Sequence, residues 1–259
     1  VSGFALNYTT PCGLMGGEPY RIMELKPYTG VSKATSSVIL YVMMHIFSHF
    51  WFWFLSIFLF IAFNPVGLSM GILLAVIGGF CLLGIYFFSR GYKTGMAQKG
   101  IHLLTHIPFV KGWAKRFAES KKDTLEQIDS QIALLHQQHK RTFYSSLLFE
   151  LSARVLQSFE IYLILKAFNA EVGIIDSILI LAFSSLFSNL IFFTPMQLGS
   201  REGGLALAVD GLHLTGALGV YTGLITRLRE LVWIAIGIML IKIGNKNQLP
   251  KDTSDNKES

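Results

Sequence analysis

The sequence predicts an all-α protein, a polytopic transmembrane helix bundle, on three observations: a long uncharged stretch, a low overall charge content, and basic residues gathered in loops. Residues 34–89 contain no Asp, Glu, Lys or Arg, and Asn64-Pro65 lies near their middle. The two arms, residues 38–63 and 66–89, each exceed the ~20 apolar residues that cross about 30 Å of hydrocarbon. They read as two spans joined by a tight turn, and both are too long and too far inside the chain to be a signal peptide. The chain is 52% hydrophobic and 15% charged, with 21 Phe among 259 residues and a mean hydropathy of +0.49. A soluble domain of this size carries more charge.

Three more apolar segments follow, at residues 143–168, 174–193 and 216–243, giving five predicted spans. Residues 90–142 form the one long polar connection, with ten Lys or Arg against Glu119, Asp123, Glu126 and Asp129. The positive-inside rule makes that loop cytoplasmic. The Asn64-Pro65 turn and the 169–173 link then face outward, and Arg21, Lys26 and Lys33 fall on the cytoplasmic side.

Within the loop, residues 101–117 mix Leu103, Leu104, Ile107, Phe109, Trp113 and Phe117 with Lys111, Lys115 and Arg116, the pattern of a helix lying on a membrane surface. Each such cation adds about 1 kcal/mol of attraction to anionic headgroups. From 120 to 139 Leu125, Ile128, Ile132 and Leu135 share one helical face, with Ser120 and Asp123 as a capping pair. Residues 245–259 are polar and are predicted to be a disordered tail. The net charge of +6 sits in loops beside spans, which argues for membrane topology rather than nucleic-acid binding. Two cysteines, Cys12 and Cys81, make neither a disulfide framework nor a zinc set, so no metal and no cofactor is implied.

The most specific signal is internal. Residues 10–18 and 194–202 both read Thr-Pro-x-x-Leu-x-x-x-Glu, and each is Gly-rich and abuts an apolar segment. Glu18 has Arg21 three residues on, and Glu202 has Arg201 just before it. A Pro/Gly break at membrane depth frees backbone groups that only protein or a water-filled cavity can satisfy. Paired broken segments in repeat-built transporters aim helix N-termini at an anionic group near the midplane. Glu18 and Glu202 are therefore expected at the starts of short, re-entrant helices, either capping them or orienting Arg21 and Arg201 toward a phosphate.

A charge at the centre of a span costs ~2.5–3.5 kcal/mol, so charges inside apolar segments need a purpose. Arg227, Arg229 and Glu230 interrupt the last span, and Arg227 is the expected third arginine of the site, facing Glu202 or Glu150. Glu150 and Arg154, one turn apart, are expected to form an internal ion pair, with Glu160 farther along. Asp210 and His213 also lie one turn apart and read as a packing or interfacial pair, while His45 and His49, without a third ligand, read as structural.

The second motif, Pro195-Met196-Gln197-Leu198-Gly199-Ser200-Arg201-Glu202-Gly203-Gly204, resembles the Pro-x-x-x-Gly-x-Arg-Glu-Gly signature of the lysylphosphatidylglycerol synthase transmembrane region, also called flippase-like. The first, Gly16-Gly17-Glu18-Pro19-Tyr20-Arg21, resembles that family's Gly-Gly-Asp/Glu-x-x-Arg segment, and Arg227 stands where the family often has Arg. Gln197 departs from a common Gly without altering the charge pattern. The resemblance covers residues 1–244 and implies a multi-pass protein of the bacterial inner membrane. It also implies that spans precede residues 1–8, which look like the end of one.

In bifunctional members the membrane domain is similar to a translocator of aminoacylated phosphatidylglycerol, and a separate soluble domain makes the lipid. Residues 245–259 are too few for such a domain, so no catalytic residues are assigned. The expectation is a protein that binds and translocates an anionic or aminoacylated phospholipid between leaflets through Glu18, Arg21, Arg201, Glu202 and Arg227. One alternative is a membrane enzyme acting on a lipid headgroup, with Glu202 as general base and His213 nearby. Another is a scaffold that recruits a separate lipid-modifying enzyme through Lys111, Lys115 and Arg116.

Overall fold

The structure, a computed structural model, describes residues 1–9, 17–94, 126, 129–130, 133, 140–191, 197–212 and 214–246. The predicted surface helix at 101–117 and the chain beyond 246 lie outside these, and so does most of the amphipathic stretch 120–139. Among the described residues there are eight α-helices and no strand. In chain order they are α1 (Ser2–Thr9), α2 (Gly17–Thr29), α3 (Val31–Phe63), α4 (Leu68–Thr94), α5 (Lys140–Ala167), α6 (Ile174–Leu190), α7 (Ser200–Asp210) and α8 (Gly216–Lys246).

Local chemistry sets the breaks. Gly30, at a φ of 80°, divides α2 from α3. Asn64 leaves helical space with φ −128° and ψ 144°, as the ring of the following Pro65 requires. Its N–H still reaches Phe60 O at 2.9 Å, closing the last turn of α3. At the end of α5, Asn169 takes a left-handed φ of 58°. The amides of Ala170 and Asn169 then return to Leu165 O at 3.1 Å and Lys166 O at 2.9 Å, a Schellman closure.

Each of the five apolar segments falls on a helix, but the ends differ from those the hydropathy pattern marks. α3 begins at Val31 and α4 runs on past Arg90 to Thr94, so helix occupies residues that the pattern gives to loops. α5 likewise takes Lys140 and Arg141 from the predicted loop, and α8 takes Asn245 and Lys246 from the predicted tail. Backbone hydrogen bonding propagates a helix beyond the edge of its apolar face. Two helices, Val31–Phe63 and Leu68–Tyr92, are long and apolar enough to cross a membrane, and Ile174–Leu190 is apolar but only 17 residues long. α5 and α8 interrupt apolar runs with charges.

The distribution of side chains is that of a membrane protein. Large apolar residues face outward, among them Leu73, Val76 and Leu83 on α4 and Leu228, Val232 and Met239 on α8. Ser36, Ser48, Ser56, Ser158, Ser177, Ser184, Thr222, Thr226, Arg154 and Glu230 are buried. A soluble fold does the reverse, whereas small polar residues between helices and charges turned inward are what lipid demands. Many of these hydroxyls bond back to their own helix, as Thr222 does to Leu218 O at 2.8 Å and Ser56 to Phe52 O at 2.8 Å.

The two motif regions are packed alike. In the first, α1 leads into α2, which lies against α3; in the second, α6 leads into α7, which lies against α8. The halves also interlock, because α1 packs on α8 while α6 packs on α3. α5 joins the halves by touching α3, α6 and α8.

Glycine permits the closest approaches. A Cβ on Gly17 would stand 2.0 Å from Gly3 O, and one on Gly219 would stand 2.4 Å from Leu205 O and 2.6 Å from the backbone of Ala206. The second is the contact of α7 with α8, where backbone atoms leave no soft group to yield. Gly219→Ala is expected to destabilise the fold by about 1–3 kcal/mol. Gly79→Ala, with nothing within 4 Å, should be neutral or slightly stabilising, and thermal unfolding of both variants in detergent checks the contrast.

Candidate functional site

Gly199, with a φ of 80°, turns the chain into α7. Its amide donates to Glu202 Oε2 at 2.9 Å, so that carboxylate caps the helix it begins. The other oxygen, Oε1, accepts from Arg227 Nε on α8. Capping and charge pairing, which the sequence poses as alternatives for Glu202, are thus made by one carboxylate with its two oxygens.

Arg201 donates through Nη1 to Glu230 Oε1. Two adjacent residues of α7 therefore meet two residues one turn apart on α8, with the charges crossed: Arg201 to Glu230 and Glu202 to Arg227. Arg227 Nη2 also donates to Gln197 O at 3.2 Å, which ties the pair back to the loop before α7. Arg229 extends the network to Glu160 on α5 and lies 4.0 Å from Glu230. The four side chains of the crossed pairs are 7–17% exposed. Charges so enclosed stay ionised only when opposite charges and hydrogen bonds replace lost water.

Glu18 stands in the first turn of α2, the position corresponding to that of Glu202. Arg21 donates to both of its oxygens at 3.3 Å and lays its guanidinium 4.7 Å from the Tyr41 ring centre on α3. α1 links this pair to the other cluster. Asn7 Oδ1 accepts from Gly17 N at 2.7 Å and its Nδ2 donates to Glu18 Oε1 at 3.2 Å, while Tyr8 stands near Glu230. Asn7 and Tyr8 went unremarked in the sequence, where they look like the frayed end of an apolar segment. Two successive polar side chains at that end were the available signal.

Of the five expected site residues, Arg201, Glu202 and Arg227 are together, and Glu18 with Arg21 form a second pair reached through α1. The space beside Arg201, walled by Gln157, Glu160, Ser184 and Thr226, is about 20 Å³, the size of about one water. A larger groove of about 640 Å³ lies between α3 and α5, walled by Leu40, Tyr41, Met44, Phe143, Ser146 and Glu150 among others.

The α3–α5 contact corrects one expectation. Glu150 pairs with His45 Nδ1 at 3.2 Å rather than with Arg154. Arg154 instead donates to Ser48 Oγ at 3.2 and 2.9 Å and to His45 O at 3.2 Å. Residues one turn apart on α5 leave room for a partner from the neighbouring helix, and the imidazole of α3 takes the carboxylate. His213, Cys12, Lys111, Lys115 and Arg116 lie outside the described residues. Among the described residues, no three His, Cys, Asp or Glu side chains are grouped to hold a metal.

A helical bundle with apolar faces outward and paired charges inward defines an integral membrane protein. The family model for the lysylphosphatidylglycerol synthase TM region matches residues 1–237, and the chain belongs to that family. The family relates it to lipid headgroup modification or transport. No curated protein and no solved structure matches the chain.

Removing one partner of the crossed pairs strands a buried charge. Glu230→Gln is expected to cost about 3–5 kcal/mol, while the double variant Arg201→Met with Glu230→Leu should recover most of that loss. Thermal unfolding of the single and double variants measures both.

Proposed function

We propose that this protein binds an amphiphile with an anionic or aminoacylated phospholipid headgroup and moves it between the leaflets of a bacterial inner membrane that it crosses several times. The supporting observation is the crossed pairing of Arg201 with Glu230 and of Glu202 with Arg227 at the start of a motif helix. A headgroup phosphate offers arginine the same planar, two-oxygen contact as a carboxylate. It can therefore take the place of Glu230 or Glu202 without leaving the guanidinium unpaired.

In this reading the arginines are held in readiness by their glutamates, and the described arrangement is the lipid-free partner set. Arrival of a phosphate releases a carboxylate, loosens the α7–α8 contact and widens the water-sized space beside Arg201. Through Tyr8 and Asn7, the change at Glu230 is felt at Glu18 and Arg21, so the two motif regions respond together. The acyl chains stay in lipid along the apolar outer faces. Two interlocked halves of similar packing suit an alternation of access between the two sides.

Leaflet exchange of fluorescent phosphatidylglycerol and its lysyl derivative in proteoliposomes tests this. The intact protein is expected to speed exchange, and Arg201→Ala and Glu202→Gln should each abolish the gain. If well-folded protein gives no acceleration with any anionic or aminoacylated lipid, translocation is ruled out in favour of headgroup chemistry or recruitment of another enzyme.

A further inference from the structure

The α3–α5 interface holds a second group of ionisable side chains, apart from the arginine–glutamate pairs. Tyr41, His45, His49 and Trp53 recur every fourth residue of α3 and so share one face. Their rings follow one another, with centroid separations of 6.2 Å for Tyr41–His45, 5.2 Å for His45–His49 and 5.2 Å for His49–Trp53. Trp53 Nε1 ends the column on Ser185 Oγ of α6 at 2.9 Å. His49 is half-buried, and among the described residues its Nδ1, which is enclosed, has no hydrogen-bond partner. His45, by contrast, is 43% exposed and meets Glu150 of α5, whose carboxylate lines the 640 Å³ groove.

The groove carries polar side chains beside this pair. Ser37, Tyr41, Thr142 and Ser146 stand along it with Glu150, and hydroxyls of this kind give water the partners it needs inside a membrane protein. Among the described residues the surrounding charges are few and held by partners. Arg154 of α5 is buried and held by Ser48 and the His45 carbonyl. From α2, Arg21 covers the Tyr41 ring and is paired with Glu18. From α4, Tyr92 packs on Phe47 and Phe143, and Phe47, two residues from His45, points to the other side of α3. From α6, the contact is Ser185.

The geometry points to a proton-binding site at His45 and Glu150: water in the α3–α5 groove delivers a proton to the His45 imidazole, and the Glu150 carboxylate is the counter-ion that holds it. The step balances as hydronium giving one proton to an imidazole nitrogen and leaving water. Glu150 and Arg154 cancel one another, so the group is neutral with neutral imidazole and carries one positive charge when loaded. Loading turns a neutral contact between α3 and α5 into an ion pair and so tightens the wall of the groove. A histidine and a carboxylate meeting on facing helices, beside a groove lined in part by hydroxyls, are the parts from which membrane proteins build proton sites. The inference does not depend on lipid translocation.

The test is histidine-labelled NMR of the full chain in lipid nanodiscs, with the His45 signal assigned by its loss in His45→Gln. The signal is expected to move on acidification, as the imidazole takes up the proton, within the pH range over which the protein stays folded. Glu150→Gln, nearly the same shape, should make the charged imidazole at least about tenfold rarer at the wild-type midpoint, the effect of removing an opposite charge at this range. His49→Gln should leave the step in place. A His45 that keeps one protonation state across that range, or one that Glu150→Gln does not alter in a folded protein, overturns the assignment. Because the readout needs no lipid exchange, it fails or succeeds separately from the translocation assay.

Discussion

The rest of the structure depends on one constraint: a charge within the bundle must find a partner, either an opposite charge or a hydrogen-bond acceptor, and most of these partners lie on another helix. Arg201 and Glu202 open α7, and Arg227 and Glu230 lie one turn apart on α8, so their pairing sets the register of α7 against α8. Gly219 and Gly223 then allow the helices to approach until backbone meets backbone, which carries the paired groups out of water. Arg229 repeats the device toward α5 through Glu160. Each pair fixes a contact between elements that apolar packing alone would leave free to slide, because lipid is as apolar as the side chains it touches.

The same constraint explains how two distant motifs become one system. α1 is only eight residues long, yet its Asn7 bonds to the start of α2 and its Tyr8 stands near Glu230 of α8. Substitution of a phosphate for a carboxylate at Arg201 would change what Tyr8 meets, and the next residue along the same helix would pass that change to Glu18. α1 itself is packed against both α2 and α8.

The two cavities divide the chemistry by size and charge. Beside Arg201 there is room for about one water, and Arg201 and Arg227 are each paired with a glutamate. Between α3 and α5 there is a groove whose wall carries Glu150, the partner of His45. If the proposed headgroup and proton sites hold, α3, which touches α2, α5 and α6, is the element that connects them.

Much of the fold was legible in the chain itself. Apolar length, the Asn64-Pro65 break and the Gly-rich repeated motif located every long helix and placed Glu18 and Glu202 at helix starts, because helix propensity, proline geometry and hydropathy act over neighbouring residues. Which charges would need partners was also plain, since Arg154, Glu150, Arg201, Arg227 and Glu230 stand in apolar surroundings. The choice of partner was decided only in three dimensions. Glu150 takes His45 in place of Arg154, Arg201 takes Glu230, and Asn7 and Tyr8 acquire roles with no sequence signature beyond their polarity. Such choices follow from which helices are adjacent and how each is rotated about its axis, and these are properties of the packed bundle that no single segment encodes.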